Sequence, residues 1–195
     1  MRHDTHLRWD TLEDTQILDG YVFSVTASRR RSEDGREAEF YLLNSPHWVN
    51  VIAETVNAQG VPCFILVRQF RHGEREVTIE FPGGVVDPEE DPAAAAMREL
   101  REETGFEAES VVEIGRSNPN PALMSNRAIT YLAVGVHPVQ ADQQLDPNEI
   151  VDVELVPRSA ILSGARADFT NHAIMISALY WYVLHQGLIA DESGR

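Results

Sequence analysis

The sequence predicts an α/β fold, a mixed sheet held between helices, with a small β-hairpin unit at its N-terminal side. Three observations predict it. Strand-like segments occur before, around and after one capped, alanine-rich helix. From Trp48 onward the apolar runs are continuous enough for buried strands. A second apolar helical stretch, Ala173 to His185, closes the pattern. At 195 residues the chain is large enough to bury its own core without staples.

The elements follow in order. Tyr21-Val22-Phe23-Ser24-Val25-Thr26 carries the β-branched and aromatic residues of a strand. Arg29 to Arg36 reads as a polar turn whose arginines are solvated, and Glu39-Phe40-Tyr41-Leu42-Leu43 as the returning strand. A two-stranded hairpin is marginal alone, so this unit, residues 1–57, must pack on something. The main domain is expected over residues 48–195. Val49 to Val56, a turn at Asn57-Ala58-Gln59-Gly60, and Val61 to Arg68 make a second hairpin, with Cys63 as an inert core residue. Trp48 is expected in the core. Val77 to Phe81 is a further strand, broken by Pro82-Gly83-Gly84.

Asp91 is a good N-cap, Pro92 suits the first helical position, and Gly105 is placed to end the helix. Ala93, Ala96, Met97 and Leu100 form its expected buried stripe, Arg101 points to solvent, and Phe106 packs under the helix end. Ser110 to Arg116, Ala128 to Val136 and Val151 to Val156 read as strands, Asn118 to Pro121 as a rigid loop, and residues 142–149 as an acidic loop. On the last helix Ile174, Leu179, Tyr182 and Val183 can face a core. His172 reads as a helix-start residue.

A formal net charge of −15 argues against a nucleic-acid surface and against attraction to anionic lipid. With one cysteine, neither an intrachain disulfide nor a cysteine-based zinc site is possible. The opening MRHDTHLRWD has no apolar signal core and no run of about 18 apolar residues occurs. A soluble, cytoplasmic protein with no membrane and no nucleic-acid partner is the expectation.

The chemistry centres on residues 84–106. Glu99, Glu102 and Glu103 fall at i, i+3 and i+4, so one helix face carries three carboxylates. Like charges so spaced cost a helix roughly 0.2–0.5 kcal/mol per pair. The stretch is either a solvated acidic face or a seat for a divalent cation; hard oxygen donors suit Mg²⁺ or Mn²⁺. Gly83 and Gly84 let the backbone turn and approach phosphate or metal closely. Glu90 and Arg98 are placed for an ion pair bracing the loop against the helix.

Gly84, Glu90 and the run Arg98-Glu99-Leu100-x-Glu102-Glu103-x-Gly105-Phe106 resemble the Nudix box at every defined position. The resemblance implies a Nudix-type α/β/α sandwich and makes Glu99, Glu102 and Glu103, with Gly84, the metal site. It gives Glu90 and Arg98 the supporting role. Val67 to Arg71, Glu80 to Gly84, Gly35-Arg36 before Phe40-Tyr41, and Pro121 fifteen residues past Phe106 look like the ADP-ribose pyrophosphatase and nucleoside-diphosphate-sugar branch. By that likeness Arg68, Arg71 and Glu80 contact the substrate, and the N-terminal unit crosses to a second subunit of a homodimer. The residues alone leave Arg68 and Arg71 equally open to surface ion pairs with Glu74 or Glu76.

The branch places its general base on a late loop matching Asp146-Pro147-Asn148-Glu149, which makes Glu149 the first choice and Glu102 the alternative. Ala122-Leu123-Met124-Ser125-Asn126-Arg127 departs from the branch, which carries a Pro-Gly pair and acidic residues there. Pro121, Met124, Asn126 and Arg127 are thus expected to meet a different distal group, a hexose in place of the terminal ribose. The implied activity is metal-dependent hydrolysis of a nucleoside diphosphate sugar to nucleoside monophosphate and sugar phosphate. A non-catalytic nucleotide-sugar-binding module and nucleoside triphosphate sanitation are the alternatives. The intact box argues against the first, and Pro121 with the N-terminal unit against the second.

Overall fold

The computed structural model describes residues 4–139, 143–145 and 147–188. It divides into two compact units: residues up to Pro46 with Asn118–Arg127, and His47–Ser117 with the residues from Ala128 onward.

The first unit is a three-stranded antiparallel meander of β1 (Trp9–Asp19), β2 (Ser24–Ser32) and β3 (Glu37–Asn44), in that order. The expected hairpin is therefore one strand short. In WDTLEDTQILD nearly every residue is exposed on either alternation, so β1 carries no apolar period to read. The arginine-rich turn is also corrected. Arg29, Arg30 and Arg31 lie within β2, where Arg29 pairs with Glu13 at 3.4 Å and Arg31 with Glu37 at 2.5 Å across the ladders. Only the residues after Ser32 turn, closed by Gly35 N–H donating to Ser32 O at 2.9 Å. The segment Asn118–Arg127 joins this unit by backbone bonding. Leu43 N–H donates to Leu123 O at 2.7 Å, and Ser125 N–H to Leu43 O at 3.2 Å.

The second unit holds the predicted sandwich. Its strands are β4 (Trp48–Ile52), β5 (Glu54–Val56), β6 (Pro62–Arg71), β7 (Glu76–Glu80), β8 (Phe106–Glu107), β9 (Ser110–Ser117), β10 (Ala128–Val134), β11 (His137–Pro138) and β12 (Val151–Pro157). The helices are α1 (Pro92–Thr104), α2 (Arg158–Leu162), α3 (Ala167–Thr170) and α4 (Ala173–His185). One sheet runs β4-β10-β9, with β4 parallel and β9 antiparallel to β10; the other runs β12-β6-β5, with β7 on β6. The single strand expected over Val49 to Val56 is thus two, because β4 and β5 pair in different sheets. The two-residue strands β8 and β11 and the short helices α2 and α3 give no period long enough to detect.

β4 and β6 are buried on both faces, which is why their sequences lack alternation. Val49, Val51 and Ile65 pack with Ala95, Ala96 and Leu100 of α1. Phe64 and Leu66 pack on the opposite face with Ile161, Phe169, Met175, Ala178 and Tyr182 of α2–α4. Cys63 is buried with a free thiol. No helix among the described residues is long and apolar enough to cross a membrane.

Candidate active site

Helix α1 forms where its caps place it. Asp91 accepts from Ala93 N–H at 2.8 Å and Ala94 N–H at 3.3 Å, Pro92 follows, and Gly105 closes the end in the left-handed region at φ 68°. The inward rows are Ala96-Leu100-Thr104 and Ala95-Glu99-Glu103, four residues apart, all buried except Glu99, which is half-buried. Met97 is 38% exposed, so Ala95 replaces it in the expected stripe. This rotation carries chemical weight: the core-facing side of α1 includes two of the three carboxylates. Glu103 is 3% exposed.

Arg98 organises the acidic face. Its Nε and Nη2 donate to Glu90 Oε1 and Oε2 at 3.0 and 3.1 Å, its Nη1 to Glu99 Oε1 at 2.9 Å and Glu102 Oε2 at 3.0 Å, and Nη2 also reaches Val85 O at 3.2 Å. These partners raise its pKa further, chiefly through Glu90. Glu90 is held from its other side by Asp87 N–H at 3.0 Å. Glu103 Oε2 accepts from Gly83 N–H at 2.8 Å. Gly84 lies against Glu99: a Cβ there would sit 2.4 Å from Glu99 Oε1. The 82–84 loop is fixed along β4, Val49 N–H donating to Gly84 O at 2.9 Å and Val51 N–H to Pro82 O at 2.8 Å.

Burial pushes the Glu103 carboxyl up to about 8, with Glu99 and Glu149 adding to the rise against Gly83 N–H and Arg71. Burial likewise raises Glu99 to about 7, opposed by Arg98 and reinforced by Glu102 and Glu149. Glu149 therefore lies within electrostatic reach of both, although it is far along the chain. Among the described residues no three such side chains already form a closed metal cluster. Protein donors hold all three carboxylates, Arg98 the first two and Gly83 N–H the third. Buried Glu103 and half-buried Glu99 on one helix face, the second raising the pKa of the first, are nevertheless a hard-oxygen donor set that fits a divalent cation.

A second polar centre stands at the end of the β6–β7 hairpin. Arg71 Nε and Nη2 donate to Glu80 Oε1 and Oε2 at 2.7 and 2.6 Å, and Thr78 Oγ1 donates to Glu80 Oε1 at 2.5 Å. Burial alone would raise the Glu80 carboxyl, but Arg71 and Thr78 hold it below the ordinary value. Arg71 also feels Glu103 and Glu149, which ties this centre to α1. Neither Glu74 nor Glu76 is its partner. Arg68 is three residues away, hence on the opposite strand face, and lies 3.8 Å from Glu154. Pro121, Met124, Asn126 and Arg127 belong to the first unit. There Asn126 is buried and its Nδ2 donates to Pro46 O at 3.0 Å, whereas Pro121 and Arg127 are exposed. Asp142 and Asp146 of the acidic loop lie outside the described residues.

Sequence reasoning missed Thr78 and the surroundings of His172. The first had a signal, since residues two apart share a strand face. The second had none, because His172 meets Glu80 only through tertiary packing, its Nε2 3.5 Å from Glu80 Oε2.

The NUDIX domain matches residues 46–179. The chain is 27% identical to the ADP-ribose pyrophosphatase of Bacillus subtilis (strain 168) over 182 residues, covering 93% of this chain and 96% of that protein. It is 51% identical to the ADP-sugar pyrophosphatase of Mus musculus over 104 residues, 52% of this chain and 44% of that one. A solved structure described as an ADP compounds hydrolase superposes with a TM-score of 0.77 at 22% identity, over 93% of this chain and 97% of that one. The box on α1, the mixed-sheet sandwich around it and a domain match over most of the chain establish that this protein belongs to the Nudix family and is a hydrolase of it.

Proposed function

We propose that the protein hydrolyses the diphosphate linkage of a nucleoside diphosphate sugar, ADP-ribose or a related compound, to nucleoside monophosphate and sugar phosphate. The observation that carries this reading is the α1 face, where Arg98 gathers Glu90, Glu99 and Glu102 while Glu103 is drawn to the Gly83 loop. The names and lengths of the matching relatives support the substrate class.

Glu99, Glu102 and Glu103, with the Gly84 carbonyl, would hold Mg²⁺ or Mn²⁺. That carbonyl accepts one hydrogen bond from Val49 N–H and keeps a lone pair. A bound cation supplies charge neutralisation at the diphosphate and makes the attacking water more acidic. The chain's own work is positioning. Glu90 and Arg98 brace the loop on the helix. Arg71 offers guanidinium N–H groups to phosphate oxygens, a bidentate match. Glu149 takes the proton from water as general base, with Glu102 the alternative; its influence on Glu99, Glu103 and Arg71 supports the first choice. Pro121, Met124 and Arg127 meet the distal group, which Asn126 helps to shape from its buried position. Arg68 faces away from Arg71 on β6, so we give it a weaker claim on the same substrate. We read the protein as cytoplasmic and homodimeric, with no nucleic-acid or membrane partner.

ADP-ribose, ADP-glucose, GDP-mannose and UDP-sugars assayed with Mg²⁺ test the reading. At least one should be cleaved to nucleoside monophosphate, with ADP-hexose favoured over ADP-ribose. Glu149→Gln should lower kcat by roughly 10²–10⁴-fold while leaving the Mg²⁺ requirement unchanged. Glu102→Gln should raise the Mg²⁺ concentration needed for half-maximal rate. Unchanged turnover in Glu102→Gln across the whole panel would show that the site is elsewhere.

A further inference from the structure

Glu80 is 1% exposed, yet it is a carboxylate with two acceptor oxygens and about four lone-pair sites. Hydrogen bonds from Arg71 and Thr78 take three of them, and His172 faces the fourth in ion-pair range. Arg71 Nε and Thr78 Oγ1 are on Oε1, at 2.7 and 2.5 Å. Arg71 Nη2 is on Oε2 at 2.6 Å, and His172 Nε2 faces the same oxygen at 3.5 Å. A carboxylate so enclosed is shut off from substrate by its burial. Its effect falls on Arg71. Two of the five guanidinium N–H groups are fixed on Glu80, and three remain on an arginine side chain that is 43% exposed.

His172 carries its own signature. Its Nδ1 is buried and has no hydrogen-bond partner among the described residues. The side chain is half-buried, and its other nitrogen is the one that approaches Glu80. A proton on the nitrogen that faces Glu80 would suit an acceptor-only carboxylate. Burial keeps the ring neutral by lowering its pKa, against the pull of Glu80, and one proton suffices for this geometry. The position is also structurally defined, at the N-cap of α4 with φ −100°, where the side chain makes no capping bond. His172 is thus free of the local task its position suggests.

We propose that His172 is a positioning residue: its electrostatic contact with Glu80 Oε2 backs the hydrogen bonds from Thr78 and Arg71, and so holds Arg71 with one edge locked and the other presented to the substrate diphosphate. The proposal corrects the sequence-based expectation for Glu80, which becomes an orienting group instead of a substrate contact. Its last step rests on the diphosphatase reading above; the locking of Arg71 does not.

Two measurements separate these parts. In ¹⁵N-labelled protein the Arg71 Nε–H cross-peak, assigned by its loss in Arg71→Lys, reports the lock without any substrate. Hydrogen exchange at that site should quicken about tenfold in His172→Leu and in His172→Phe, the size of one lost contact to a charged group, and return near the wild-type rate in His172→Gln. Two removal variants are used so that one misfolded protein does not decide the result. Unchanged exchange in a folded removal variant overturns the proposal. In turnover of the cleaved diphosphate sugar, His172→Leu should raise KM about tenfold with kcat within about twofold, again rescued by His172→Gln. The same change in an Arg71→Ala background should add nothing; an equal loss there would mean that His172 acts by another route, and the proposal falls. If exchange responds as expected but no diphosphate sugar is cleaved, the lock stands and the diphosphatase reading fails.

Discussion

A methyl group at position 84 would overlap the Glu99 carboxylate, 2.4 Å from Oε1. Gly84→Ala should therefore push the Glu99 carboxylate aside and weaken Mg²⁺ binding with little change in metal-free stability, both readable from thermal melts with and without metal. His172 sets a different residue-scale expectation. Its folded pKa lies below the unfolded value of about 6.5, because burial outweighs Glu80 and Glu74 while Arg71 adds to the fall. The unfolded chain then binds the extra proton, so the stability associated with a neutral His172 is complete above about pH 6.5 and is lost as pH falls through the folded pKa. His172→Gln should flatten that part of the stability profile, measured by urea unfolding between pH 7.5 and 5.5. At this scale the sequence was legible where partners share a short local pattern. Glu90 and Arg98 could be paired from their spacing alone. Arg71 and Glu80 could not be paired with each other, since their union depends on the register of β6 against β7, and His172 approaches from a segment some ninety residues away.

Helix α1 was the most legible element because every signal for it is local: Asp91, Pro92, the alanines and Gly105. Its phase was harder to read. Ala93, Ala96, Met97 and Leu100 look like a stripe, but the helix is turned so that Ala95, Glu99 and Glu103 share the buried side, a choice made by β4 and β6 beneath it. The rotation gives a direct prediction. Above pH 8, where the Glu103 carboxyl is ionised, Glu103→Gln removes a charge that burial disfavours and keeps an acceptor for Gly83 N–H, so without metal the variant should melt above the wild type. Wild type should gain several degrees with saturating Mg²⁺, since ligand at 100 Kd adds about 2.7 kcal/mol, and Glu103→Gln should lose most of that gain. Scanning calorimetry with and without EDTA measures both. Strands β4 and β6 were legible as buried runs, whereas β1 was not, because its two faces are almost equally wet.

On the scale of the molecule, the order of elements pointed to a sandwich, but pairing between distant strands was beyond local patterns. Nothing near Trp48 announces that β4 will lie parallel to β10, nor that β12 will return to β6. The first unit leaves Ile17, Leu18, Phe23 and Tyr41 at least 41% exposed on a small sheet. Apolar side chains gathered on so small a unit suit a partner surface. Sedimentation velocity at micromolar concentration should therefore give a species of about twice the chain mass, and Ile17→Asp with Leu18→Asp should return it to a monomer.

The chain leaves the second unit after β9, forms residues 118–127 with the first, and comes back as β10, the antiparallel neighbour of the strand it left. Ser117 and Ala128 face each other across that ladder, so the segment begins and ends at one fixed gate. Such a segment behaves as a cassette. Its exposed positions can vary without touching the β9–β10 ladder, whereas Asn126, buried on Pro46 O, is tied to the fold. If this segment meets the distal group as proposed, a library over its exposed positions Pro121, Ala122, Ser125 and Arg127 should shift sugar preference while thermal melts stay near the wild type.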